Sequence, residues 1–159
     1  MNRSKMYWTK LSTPPPKSLA WGILIVATVG FLDAAYLTIE HYRGGVVPCS
    51  ITSGCEQVLT SPYATIFGVP IALIGAIYYL SILLASISFL EGGSMVGVRY
   101  IVSIGAVGFL ISLWLMYIQA FILHYFCQYC LLSFAITTTL FILSCFIVKR
   151  SRSHEAVLP

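Results

Sequence analysis

Four of the five cysteines in this chain fall into two closely spaced pairs. Cys49 and Cys55 enclose a short polar segment, and Cys127 and Cys130 form a Cys-Gln-Tyr-Cys motif. Such pairs can form static disulfides, bind zinc or exchange disulfides with another dithiol. Cys-x5-Cys is an awkward spacing for zinc ligands, and no histidine is well placed as a further ligand except His41 and His124, so no metal site is expected. Static disulfides and redox exchange remain open from the cysteines alone.

The composition predicts that these cysteines belong to an integral membrane protein. Of the 159 residues, 58% are hydrophobic and only 9% are charged, whereas soluble domains carry about 25% charged residues. The length suits one domain. The net charge of +4 does not indicate nucleic-acid binding, because the basic residues lie in tails and short loops beside apolar segments. We therefore expect the lipid bilayer, and no nucleic acid, as the surroundings of this chain.

The apolar segments predict an all-α bundle of four transmembrane helices. Leu19 to about Ile39 and Phe67–Leu90 each have the length of one span. The uncharged stretch between positions 99 and 149 is too long for one crossing and must turn back, most naturally at His124–Cys130. The sequence thus predicts an N-terminal tail (1–18), a four-helix domain (19–148) and a C-terminal tail (149–159), with an outward loop and short helix between spans one and two.

The distribution of lysine and arginine predicts the orientation of these spans. With four spans, eight basic residues share the side of both termini, and Arg43 alone lies on the other side. Basic residues favour the cytoplasmic side. Both termini are therefore expected in the cytoplasm, and both cysteine pairs outside it, where disulfides persist. A plasma (inner) membrane is the expected location. The eight residues are Arg3, Lys5, Lys10, Lys17, Arg99, Lys149, Arg150 and Arg152.

The two pairs differ in the chemistry that their positions favour. Cys127 and Cys130 are predicted to open the fourth helix, where free N–H groups and the helix dipole stabilise a thiolate. Cys130, one turn deeper, is expected to face the bundle interior. Cys49 and Cys55 lie in a polar loop that can move between a soluble partner and the fixed pair. Two such pairs predict an electron relay by thiol–disulfide exchange, while Cys145 is interpreted as an ordinary buried thiol.

The motifs Cys49…Cys55-Glu-Gln-Val-Leu-Thr-Ser61, Ile66-Phe-Gly-Val-Pro70 and Cys127-Gln-Tyr-Cys130 resemble those of the vitamin K epoxide reductase family, especially its prokaryotic members. The resemblance covers about residues 19–148. It implies a four-helix bundle around a quinone, capped on the outside by the loop and short helix. It further implies that Cys127 and Cys130 are the active pair, with Cys130 nearest the quinone, and that Cys49 and Cys55 are a shuttle pair.

The resemblance also implies a quinone site lined by Ser61, Ala64, Phe67 and Phe134. Animal members carry a tyrosine at the position of Phe134 and an asparagine at the position of Ala64. Both departures disfavour vitamin K epoxide as the substrate and favour a plain quinone of the ubiquinone or menaquinone class. The sequence ends about 11 residues after span four, without a fused thioredoxin-like domain, so a separate DsbA-like or thioredoxin-like dithiol carrier is the expected partner.

Two ionisable residues near this predicted site have possible supporting roles. Asp33 is an acid within a span, a position that commonly marks function, and it could handle protons, position the loop or simply bond to a neighbouring helix. His124 could give a proton to the quinone or stabilise a thiolate, or it could be structural.

The expected function is quinone-coupled oxidation of an extracytoplasmic dithiol partner, in support of disulfide formation. The alternatives are a non-enzymatic membrane scaffold braced by static disulfides, and a vitamin K epoxide or quinone reductase proper. A DsbB-like protein would carry its Cys-x-x-Cys pair in the first outward loop, and this chain has the reverse order.

Overall fold

Four long helices dominate the computed structural model of this chain, which describes residues 16–45, 47–92 and 95–155. Each is long and apolar enough to cross a hydrocarbon core of about 30 Å. The prediction of a four-helix membrane bundle is therefore confirmed. Of the predicted tails, at residues 1–18 and 149–159, positions 1–15 and 156–159 lie outside the described residues. The long helices are α1 (Lys17–Arg43), α3 (Ile71–Gly92), α4 (Met95–Tyr117) and α5 (Gln128–Glu155).

The connection between α1 and α3 forms the cap over the bundle. It contains the short helix α2 (Cys55–Leu59), a 3-10 turn (Pro62–Ala64) and an antiparallel hairpin of β1 (Thr65–Ile66) and β2 (Val69–Pro70). The loop with a short helix was predicted, but the start of the second span at Phe67 is wrong. Phe67 and Gly68 have φ angles of 52° and 80°, and two positive φ angles make the tight turn that joins twisted strands.

The connection between α4 and α5 begins with a π-helical turn at Ile118–Leu123. This turn ends at His124, which adopts the left-handed conformation with φ 55°. The chain then reverses direction and α5 begins at Gln128. The predicted reversal at His124–Cys130 thus lies in the right place. The helix α5 continues to Glu155, and its part Gln128–Lys149 is long and apolar enough for a span, which agrees with the fourth span expected to end near residue 148.

The four long helices pack in a closed ring, in which α1 and α4 each contact both α3 and α5. Ala27, Tyr79, Ile82 and Leu140 are among the side chains buried at the centre. The outer faces carry exposed apolar side chains, including Trp21, Leu84, Leu110 and Ile142. Such apolar outer faces suit a bilayer. Because lipid tails are as apolar as these side chains, no hydrophobic force draws the helices together, and their association depends on close packing.

One close approach fixes α1 against α3 beneath the cap. A Cβ at Gly30 would lie 2.6 Å from the ring of Tyr79, so only glycine lets the helices approach this closely. The Tyr79 hydroxyl forms a 2.8 Å hydrogen bond with the Ser133 hydroxyl. Tyr79 therefore connects α1, α3 and α5 at a level just below the cysteines, and it holds the inner wall of the site in place.

Candidate active site

The Cys-x-x-Cys motif opens α5, as its sequence predicts. The backbone N–H of Leu131 donates to the Cys127 carbonyl at 3.0 Å, which places Cys127 at the N-cap position of the helix. Cys127 is completely buried, and Cys130 is partly buried in the first helical turn. Both cysteines are present as thiols.

The loop between α1 and α2 presents the other pair as a disulfide between Cys49 and Cys55. Their Cα atoms are 5.9 Å apart. Cys55 is the first residue of α2 and is only 1% exposed, whereas Cys49 is partly exposed and its sulfur lies 3.4 Å from the Thr52 hydroxyl. Cys49 is therefore the more accessible sulfur of the pair.

The two pairs lie together in one cluster at the capped end of the bundle. Cys55, Val58 and Cys127 form its buried centre, and Cys49 and Cys130 pack against them. The structure thus brings together the four cysteines that the sequence placed at one membrane surface. Of these four cysteines, only the loop pair is bonded.

The fifth cysteine lies outside this cluster. Cys145 is an exposed free thiol on α5, so its interpretation as a buried thiol is wrong. Its side chain belongs to the outer, apolar surface of a membrane helix. Burial in lipid and burial in protein favour the same residue types, and composition alone could not separate them.

The two middle residues of the Cys-x-x-Cys motif hold the loop in place. The Gln128 carboxamide oxygen accepts the backbone N–H groups of Ser50 at 3.2 Å and Ile51 at 3.0 Å. The Tyr129 hydroxyl donates to the Pro48 carbonyl at 3.2 Å, and the Gln128 amino group donates to the same carbonyl at 3.5 Å. These contacts join the loop disulfide to the fixed pair through the motif itself.

Gln119 is a site residue that the sequence analysis missed. It is 2% exposed in the π-helical turn, and its Oε1 accepts the backbone N–H of Cys127 at 2.9 Å. Its side chain also lies within interaction range of Cys130, and both residues line the same cavity. A signal was available: Gln119 is the sole amide side chain between positions 58 and 127, and polar residues within spans often have a functional role.

The environment of Cys127 favours its thiolate. The hydrogen bond from the Cys130 side chain is the largest influence, and it lowers the pKa of Cys127 from 9.0 to about 7. Burial opposes this effect, and the backbone N–H groups of Cys130 and Tyr129 add to it. These N–H groups belong to the first turn of α5, where such donors have no partner within the helix.

A cavity of about 720 Å³ extends from the cap into the bundle. Cys130, Ser133 and Thr137 line it from α5, which places one face of that helix along the wall. Asp33 also lines the cavity, is 9% exposed, and its Oδ2 has no hydrogen-bond partner among the described residues. The remaining wall includes Ser61 and Ala64 from the cap, together with Ile104 and Ser112 from α4.

The other residues predicted for this site lie elsewhere. Phe67 is fully exposed at the hairpin turn, and Phe134 packs against Phe109 of α4 with ring centroids 6.3 Å apart. His124 is exposed at the end of the π-helical turn. None of Phe67, Phe134 and His124 is among the described residues that line the cavity. Of the four residues expected around a quinone, the structure brings only Ser61 and Ala64 to the cavity that Cys130 reaches.

Comparison with known proteins gives the family of this chain. The Vitamin K epoxide reductase family matches residues 21–145, which is most of the chain. The chain belongs to the vitamin K epoxide reductase family. The thiol-disulfide oxidoreductase LTO1 of Arabidopsis thaliana is 34% identical over 134 residues, which cover 79% of this chain and 36% of that relative. The chain thus spans about a third of the length of this relative.

Membership of the vitamin K epoxide reductase family was predicted from the cysteine motifs and is confirmed. The matched region contains all five cysteines, the π-helical turn and the cap. It also lies within the four-helix domain expected at residues 19–148.

Proposed function

We propose that this chain is a thiol oxidoreductase that passes an electron pair from an extracytoplasmic dithiol protein to a membrane quinone. The observation that carries the proposal is the cluster in which the loop pair, the Cys-x-x-Cys pair and the cavity meet. Cys55 and Cys127 are both buried members of this cluster, and Cys130 lies on the cavity wall. Electrons can therefore move inward through neighbouring sulfur atoms.

The first exchange takes place at the exposed end of the relay. A thiolate of the partner attacks Cys49, forming a mixed disulfide and releasing Cys55 as a thiolate. The partner's second thiol then displaces Cys49 and leaves the partner oxidised. The greater exposure of Cys49 supports this order, because Cys55 is 1% exposed.

The second exchange moves the electron pair into the bundle. The Cys55 thiolate attacks Cys127 of a Cys127–Cys130 disulfide, and Cys130 leaves with the electron pair of the broken bond. Cys49 then attacks Cys55, restores the loop disulfide and releases Cys127. A thiol of lower pKa leaves faster in such exchanges, and the pKa of Cys127 is about 7. The bonding pattern in the structure is that of the state after these steps.

The cavity fits a quinone head group as the acceptor. Its volume of about 720 Å³ lies within the range of small-molecule pockets, and its wall combines apolar side chains with Ser61, Asp33 and the Cys130 sulfur. As Cys127 and Cys130 re-form their disulfide, the electron pair would pass with two protons to a quinone bound there, which would leave as the quinol. We assign Ser61 and Ala64 to its binding and Asp33 to proton supply. His124, Phe67 and Phe134 have weaker support, because they do not line this cavity.

The sidedness and the partner follow from the same arrangement. The excess of basic residues on the side of the termini supports cytoplasmic termini, so that the cysteine cluster faces outward from a plasma membrane. The partly exposed Cys49 suits a DsbA-like or thioredoxin-like carrier. Oxidation of that carrier would support disulfide formation in its own targets.

The decisive experiment measures quinone-dependent oxidation of a thioredoxin-like dithiol by the purified full chain. Cys130→Ser should abolish quinone reduction and leave the dithiol reduced, because the electron pair has no sulfur to reach at the cavity wall. Asp33→Asn should slow turnover without abolishing it. Cys145→Ser is the matched control and should retain parental turnover. Full turnover in Cys130→Ser would show that the active pair is assigned wrongly.

A further inference from the structure

Gln119 has a hydrogen-bonding geometry that fixes the direction of its carboxamide. Its Oε1 accepts the backbone N–H of Cys127 at 2.9 Å, and a backbone N–H can only donate. The oxygen is therefore held toward Cys127, which leaves the Nε2 amino group as the donor that Gln119 can offer to the nearby Cys130 sulfur on the same cavity wall. Because Gln119 is 2% exposed, water has little access to replace its carboxamide.

This direction matters at the step in which negative charge appears on Cys130. When Cys55 attacks Cys127, the Cys55–Cys127 bond forms, the Cys127–Cys130 bond breaks, and Cys130 receives the electron pair as a thiolate. Hydrogen bonds to a charged acceptor are roughly twice as strong as neutral ones, and a low local dielectric strengthens them further. Asp33 lines the same cavity, and an ionised carboxylate there would oppose a second negative charge.

We propose that Gln119 is a catalytic residue whose Nε2–H donates to the Cys130 thiolate as that thiolate leaves the disulfide. Its carbonyl oxygen meanwhile anchors the backbone of Cys127, so one side chain serves both sulfur positions. The assignment of Cys130 as leaving group rests on the proposed relay, but the interaction with its thiolate can be measured without partner or quinone.

The test isolates Cys130 in the full chain purified in detergent. In a Cys127→Ser, Cys145→Ser background the loop pair is bonded, so Cys130 is the sole free thiol. Its rate of alkylation by iodoacetamide reports the thiolate population. Gln119→Met removes the donor at similar side-chain length, and the rate should fall about tenfold or more, as expected for a lost bond to a charged group. Gln57→Met makes the same change at an exposed position of α2 and should leave the rate unchanged.

A second variant decides the matter if Gln119→Met does not fold. Gln119→Glu keeps an oxygen to accept the Cys127 N–H, and at about pH 9 its carboxylate is ionised and cannot donate. Alkylation should again be slower than in the parent. The variant that counts is the one that retains the loop disulfide and a cooperative thermal transition. If its alkylation rate lies within about twofold of the parent rate, the proposal is overturned. That result would leave the relay itself intact, whereas an inactive relay with slowed alkylation would overturn only the proposed function.

Discussion

Removal of the Gln128 carboxamide should detach the loop that carries the shuttle pair. Gln128→Met loses the bonds from the N–H groups of Ser50 and Ile51, at 3.2 and 3.0 Å. At about 1 kcal/mol net for each hydrogen bond, the docked loop is destabilised by about 2 kcal/mol. That energy corresponds to a fall of roughly thirtyfold in the ratio of docked to undocked loop. Transfer from Cys55 to Cys127 should slow by up to the same factor.

Two measurements separate docking from chemistry. Amide hydrogen exchange should become faster at Ser50 and Ile51 in Gln128→Met, and turnover with a thioredoxin-like dithiol should fall in parallel. Gln128→Glu retains a side-chain oxygen at the same position and should restore most of the protection, while Gln57→Met should change neither measurement. If the two amides in Gln128→Met exchange as slowly as in the parent, or if turnover is unaffected by their release, the docking argument is refuted.

Two further predictions concern the cysteine cluster. The rate of alkylation of Cys127 in a Cys145→Ser chain should rise with pH about a midpoint near 7, because the lowered pKa of Cys127 sets its thiolate fraction. Cys130→Ala removes the hydrogen bond to Cys127 and should move that midpoint to higher pH. An unchanged midpoint would contradict this hydrogen bond as the cause of the lowered pKa. Gly54→Ala places a Cβ 2.8 Å from the backbone of Phe126, and this overpacking should lower the free energy of unfolding by about 1–3 kcal/mol. Thermal unfolding beside the exposed neighbour control Ser53→Ala tests this, and equal transition temperatures would count against it.

The membrane architecture could be predicted because the bilayer imposes simple lengths on the sequence. The uncharged stretch between Arg99 and Lys149 had to fold back, since one helix of that length would overshoot the hydrocarbon core. The helix start at the Cys-x-x-Cys motif followed from the same reversal. Both expectations depend on properties that a single segment carries by itself, and the structure agrees with them.

The details of the site depended on tertiary packing that a sequence pattern does not contain. Phe67 continued an apolar segment, but its positive φ places it in a hairpin turn. Phe134 follows Ser133, which lines the cavity. The step of one residue around the helix axis turns Phe134 away from the cavity and toward Phe109. The position of Gln119 depends on the π-helical turn in which it lies. Such a turn interrupts the regular α-helical repeat, and local residue propensity does not predict it.

The helical repeat explains why one short motif can serve both the cavity and the loop. Positions i and i+3 share a helix face, whereas i+1 and i+2 point away from it. Because Cys130 reaches the cavity from the first turn of α5, the intervening Gln128 and Tyr129 are turned toward the loop between α1 and α2, where both contact Pro48. The spacing that keeps two sulfur atoms adjacent therefore also creates the docking surface for the second pair. A change in the middle residues should affect transfer between the pairs, while a change behind them, at Gln119, should affect the charge on Cys130.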